Sequence, residues 1–126
     1  MNLEKYTLGQ YVEGGRLWPQ VDCYGLVLEV RRDLGLPDWP EWSEMRKADG
    51  GFARACDDMI QRTVTPCALG HGAVVAAYRG SVQDHVGIVV EINGALEVLE
   101  INPRRNVSFT PIRRFERRFV RVEYYR

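Results

Sequence analysis

The hydrophobic pattern of this chain changes period once, near Pro66, and that switch limits the architectures open to it. Before the switch, Cys23, Leu26, Val27, Val30 and Leu34 recur at i, i+3, i+4, i+7 and i+11, the apolar stripe of a helix that packs by one face. Gly35 offers a C-cap, and Pro37 forbids continuation. A weaker helical pattern covers about 51 to 62, with Phe52, Ala55, Met59 and Cys56 on its inner side. After the switch, "AVVAAY" (73–78), "HVGIVVEI" (85–92), "ALEVLEI" (95–101), "VSFTPI" (107–112) and "FVRVEYY" (119–125) are β-rich runs divided by Gly, Asn and Pro. Asn93-Gly94 between two of them predicts a two-residue hairpin turn. Helices first and antiparallel strands after is an α+β order, with N-terminal helices packed on a mostly antiparallel sheet of about five to six strands. The opening stretch through Gly14-Gly15 and Trp18-Pro19 reads as a short helix or turn and then an irregular loop, and Asp38 to Trp42 as an aromatic loop. No repeat, low-complexity tract or interior linker divides the chain, so 1–126 is read as a single domain.

Charge excludes some function classes and leaves others open. Lysines and arginines balance aspartates and glutamates at 17 each, which gives no overall case for a nucleic-acid binder. The balance is uneven, because eight arginines lie from Arg104 onward against Glu116 and Glu123. They form either a solvated face on the last strands or a contact surface for an acidic partner or anionic polymer. No apolar run approaches the ~20 residues needed to span a bilayer, so no membrane insertion is expected. Met1 to Lys5 begins no apolar signal region, and the expectation is a chain made in the cytosol and delivered elsewhere only by something it rides on. Three cysteines at irregular spacing argue against a disulfide framework and fit a reducing compartment.

Cys23 is the first residue of the helical stripe. Unpaired N–H groups of a first helical turn stabilise a thiolate there and could hold an oxyanion after the sulfur attacks a carbonyl. A cysteine at that point could equally be the start of the core, since free cysteine is among the most buried residue types. A thiolate needs a base, and the candidates are His71 and His85. His71 lies between Gly70 and Gly72 and looks like a turn residue. His85 opens the most apolar strand, on one face with Gly87, whose missing side chain leaves room for a helix or a substrate. Leu96, Val98 and Glu100 share a face of the next strand, so Glu100 is either a paired inward carboxylate or a strand-end glutamate reaching water. Asn102 is a neutral alternative acceptor. Cys56, Cys67 and His71 lack zinc-finger spacing, and no metal or cofactor is expected.

These residues resemble a known family. "YVEGG" (11–15), "VDCYGL" (21–26), "HVGI" (85–88) and "LEI" (99–101) occur in the order found in the NlpC-type cysteine peptidases, compact papain-like enzymes that cut peptidoglycan stem peptides. The stretch "CYGLVLEVRRDLGLPDW" is similar to the small domain of phage tail-tip and tail-assembly proteins. The resemblance implies a papain-like fold in which Cys23 is the nucleophile and His85 the general base. Position 100 would hold the third triad member. It implies an oxyanion and substrate set drawn from Tyr11, Asp22 and Tyr24, with Asp22 structural. The chain departs from the family at Glu100, where His, Asn or Gln is usual; a glutamate there is expected to accept the Nδ1–H of His85 and favour imidazolium. It departs again at "GHGAVV" (70–75), where Gly-Asp is common ahead of the first core strand and His71 or Gly72 replaces the acid. The implied activity is hydrolysis of a stem-peptide amide, the D-Glu to diaminopimelate bond, by a virion-borne domain acting in the periplasm and cell wall. The implied partners are the stem peptide and neighbouring phage tail proteins, docked on the Arg-rich C-terminal strands. Two alternatives stand beside it: a structural tail-tip or assembly module that keeps the fold without needing the chemistry, and a thiol acyltransferase with the same Cys/His pair.

Overall fold

The computed structural model describes residues 1–43 and 47–126. Its elements are α1 (Leu3–Tyr6), β1 (Gln10–Tyr11), β2 (Arg16–Leu17), β3 (Gln20–Val21), α2 (Cys23–Asp33), α3 (Gly51–Arg62), β4 (Val74–Arg79), β5 (Val82–Ile92), β6 (Ala95–Asn102), β7 (Asn106–Pro111), α4 (Ile112–Arg117) and β8 (Arg121–Tyr125). Five strands form an antiparallel sheet in the order β7-β6-β5-β4-β8, and β1-β3-β2 form a small second sheet. The protein is α+β, as the change of period predicts.

The apolar stripe of 23–34 builds α2. Asp22 caps it by accepting the Gly25 N–H at 2.8 Å. At the other end Leu34 is the C-cap, and Gly35, at φ +73°, is the residue beyond it. Gly35 N–H bonds the Arg32 carbonyl and Leu36 N–H the Arg31 carbonyl, the paired closure that a left-handed glycine permits. In α3, Phe52, Ala55 and Met59 are buried, while Cys56 is half-buried. Asn93 and Gly94 both have positive φ and join β5 to β6 with Ile92 opposite Ala95.

The sheet has two covered faces. Val74, Val86, Ile88, Val90, Leu99 and Ile101 pack with α2 and α3. Val75, Ala77 and Val98 pack with Phe115 of α4 on the other side. The aromatic loop packs on α2: the Arg31 guanidinium lies 3.8 Å from the Trp39 ring centroid, and Tyr24 Oη donates to the Pro40 carbonyl at 2.5 Å.

Three expectations need correction. Residues 112–117, placed within or between the last strands by sequence, form α4; Ile112, Phe115 and Phe119 fall at helical spacing and are drawn onto the sheet. Arg113, Arg114 and Arg117 are therefore helical, and the basic segment is two strands, β7 and β8, with α4 between them. The opening loop contains a three-stranded sheet, whose two-residue strands are too short to carry a period. Gly87 admits neither helix nor substrate: a Cβ there would meet Val98 Cγ1 at 2.5 Å and the Leu99 carbonyl oxygen at 3.2 Å, so its space is already filled by β6.

Candidate active site

The cap of α2 comes first, because it sets where the cysteine lies. The Asp22 carboxylate takes Gly25 N–H, Gly14 N–H at 3.1 Å and Arg16 Nη1 at 2.6 Å. The Asp22 carbonyl takes Leu26 N–H. One carboxylate thus ties the helix start to the Gly14-Gly15 turn, and Gly25 packs against the Gly15 carbonyl where no side chain fits. The amides of Cys23 and Tyr24 are left as the first-turn donors that Asp22 does not use.

The Cys23 thiol lies close enough to the His85 imidazole for each to shift the protonation of the other. His85 Nε2 in turn bonds Glu100 Oε1 at 2.8 Å, which leaves Nδ1 for the thiol. The ring is therefore reversed from the expected one, in which Nδ1–H faced Glu100. The β5–β6 ladder explains how three elements meet here. Its register runs from Ile92–Ala95 to Ile88–Leu99 and stops, so the β5 segment bearing His85 lies beyond the last pair. Thiol and carboxylate both reach the ring at that opening. Phe115 and Phe119 stack on it, each with ring centroids 6.0 Å away.

All three groups are withdrawn from water: Cys23 is 1%, His85 2% and Glu100 0% exposed. Burial by itself would push the Cys23 thiol up, yet the hydrogen bond with His85 and the charge of Lys47 hold it below its ordinary value. Burial would likewise lower His85, but its bonds to Cys23 and Glu100 raise it. Glu100, against its own burial, is brought down to about 2 by His85, Arg118 and Thr110. The three shifts favour one state, thiolate beside imidazolium beside carboxylate. By contrast, burial pushes Cys56 well up.

Tyr11 stands close enough for the charge of Cys23 to act on its phenol, which burial first and that charge second push up to about 12. Its backbone N–H is fixed by Asn106 Oδ1 at 2.9 Å. Tyr24 does not belong with it. Its hydroxyl is committed to Pro40 and faces Met59 Sδ at 3.2 Å, which removes it from the oxyanion and substrate set. Asp22 is committed to the cap. Asn102 donates Nδ2 to Glu100 at 3.1 Å and so supports the carboxylate rather than replacing it. His71 sits in a turn and accepts the Glu91 N–H at 3.0 Å. Sequence reasoning missed Arg118 and Thr110. Thr110 lies two pairs along the ladder from Glu100, opposite Val98, a position its strand register would have given. Arg118 carried no such signal among so many arginines.

No family model and no curated protein matches this chain.

Proposed function

We propose that the chain is a cysteine peptidase of NlpC type, with a papain-like arrangement, that cuts peptidoglycan stem peptides. The observation that carries this reading is the order Cys23–His85–Glu100: a nucleophile at a helix start, a base near enough to shift its protonation, and an acceptor fixing the base, from three separate elements.

In this reading the Cys23 thiolate attacks an amide carbonyl, forming the C–S bond while the carbonyl electrons move to oxygen. In this reading the Cys23 N–H and the Tyr11 hydroxyl stabilise that oxyanion; losing one such donor typically costs ~10²–10³ in rate. The imidazolium gives its Nδ1 proton to the leaving amine as the C–N bond breaks. Water then attacks the thioester, with His85 taking its proton, and the acid departs as the thiolate re-forms. The D-Glu to diaminopimelate bond is the proposed target, and a phage tail the proposed carrier. Purified protein incubated with bacterial sacculi should release new muropeptides, and Cys23→Ala should not. Absence of cleavage by a folded wild-type protein sinks this reading.

A second reading, a tail-tip or assembly module, is favoured by one observation. Arg104, Arg105, Arg114 and Arg118 line a single groove on the β7–α4 side, a surface suited to an acidic neighbour. Particles carrying Cys23→Ala separate the two: failed assembly argues for architecture, and normal assembly with poor genome delivery for chemistry.

A further inference from the structure

Glu100 is held by more partners than one imidazole requires. Its Oε1 accepts from His85 Nε2 at 2.8 Å, Asn102 Nδ2 at 3.1 Å and Arg118 Nη2 at 3.1 Å. Its Oε2 accepts from Arg118 Nη1 at 2.7 Å and Thr110 Oγ1 at 2.6 Å. A bare carboxylate beside a buried imidazole strongly favours the protonated ring, because opposite charges attract more where the dielectric is low. A ring held too firmly in that form is a poor general acid, since its proton must pass to a leaving group. A guanidinium is always charged, is planar, and matches both oxygens of a carboxylate at once.

The other charges around His85 do not supply this balance. Cys23 approaches from α2, and Lys47 acts on both Cys23 and His85 from the segment before α3. Arg79 of β4 lies over the Phe119 ring, but it is paired with Asp84 at 2.8 Å. From the α4 side, among the described residues, the rings stacked on it are Phe115 and Phe119. Among the described residues, Arg118 is the one permanently charged cation bonded to Glu100, the imidazole of His85 being charged only when protonated.

We propose that Arg118 is a positioning residue that makes the Glu100 acceptor electrically neutral, spanning both carboxylate oxygens so that His85 is oriented by a carboxylate without feeling its full charge. The acceptor is then a Glu100–Arg118 pair. Its catalytic meaning rests on the peptidase reading, while the electrostatic statement rests on the contacts alone.

The test is the titration of His85, followed by ¹⁵N–¹H NMR of the full chain in a Cys23→Ala background so that no thiol titrates beside it. The chain has two histidines, so His71→Asn assigns the signals. Arg118→Gln leaves a net negative acceptor and shifts the midpoint upward. Glu100→Gln leaves a net positive one and shifts it downward. The double variant is neutral again and returns close to the parent. Arg118→Lys keeps the charge and stays near the parent, although the two-pronged contact is lost. A purely structural Arg118 would change melting temperature without these opposed and cancelling shifts. The proposal is overturned by an Arg118→Gln midpoint that is unchanged or lower. Should that variant not fold, the comparison of Glu100→Gln with the double variant decides: no upward shift on removing Arg118 there overturns it equally. Peptidoglycan plays no part in this measurement. Shifts as described from a protein that cleaves no sacculi would reject the peptidase reading and keep the pair.

Discussion

Arg16 and Asp22 form a buried ion pair, Nη1 to Oδ1 at 2.6 Å, in which the same carboxylate oxygen caps α2 at Gly25. Arg16 also donates to the Glu41 carbonyl at 2.5 Å and the Trp42 carbonyl at 3.1 Å, so the pair joins the helix start, the β2 strand and the aromatic loop. Removing one member of a buried pair leaves the other charge uncompensated, which costs ~3–5 kcal/mol. Asp22→Ala should lose that much in urea denaturation, with the cap included. A loss below about 1 kcal/mol, the scale of an exposed pair, would contradict the role given to it.

The protonation states at the site are open to a chemical test. A thiol held low by His85 and Lys47 is a thiolate at pH values where ordinary cysteines are not, whereas Cys56 is pushed the other way by burial. Iodoacetamide at pH 6, read out by peptide mapping, should modify Cys23 ahead of Cys56. His85→Ala should abolish that preference at pH 6. Bulky maleimides should label Cys23 more slowly than iodoacetamide, because the sulfur is buried. Equal labelling of Cys23 and Cys56 at pH 6 would dispose of the thiolate–imidazolium pair.

Stability should depend on pH in two opposed limbs. The folded Glu100 carboxyl titrates at about 2, below its ordinary 4.5, so its contribution is complete above pH 4.5 and lost as pH falls toward 2. His85 is raised above its ordinary 6.5, so its contribution is complete below that pH and lost as pH rises through the folded value. Melting temperatures measured from pH 2 to 9 should therefore peak between the limbs, and Glu100→Gln should flatten the acid one. Parallel acid limbs in wild type and variant would refute this.

Gly87→Ala tests the β5–β6 packing. The added methyl meets Val98 Cγ1 at 2.5 Å and Leu99 backbone at 3.2 Å, and such overpacking costs ~1–3 kcal/mol. Equilibrium unfolding reads the loss directly. An unchanged midpoint would mean that β6 can give way there.

Much of this molecule was legible in its residues, and the rest was hidden for definable reasons. The α2 stripe, the Asn93-Gly94 turn and the strand alternation depend on local period and turn chemistry, which a sequence carries openly. The meeting of Cys23, His85 and Glu100 arises from elements that each announce themselves. The hidden features depend on choices among equals. Which arginine would reach Glu100 could not be read from a segment with so many of them. Which nitrogen of His85 would face Glu100 is set by how strands part after Ile88–Leu99, a tertiary matter. The helix α4 has only six residues, and the spacing of its Ile112 and Phe115 with Phe119 just beyond it was masked by flanking β-formers.

The contact of Gly25 with the Gly15 carbonyl bears on how chains like this one can diverge. A side chain at Gly25 would force the Val12–Gly15 turn to retreat, and that turn comes directly after Tyr11 in the chain. Gly15 has no more freedom, since a Cβ there meets the Gln20 backbone. Single substitutions at either position are therefore closed to drift, although neither residue has any chemistry of its own. Two blocks that look like separate short motifs are one interface seen twice, and they should be inherited together.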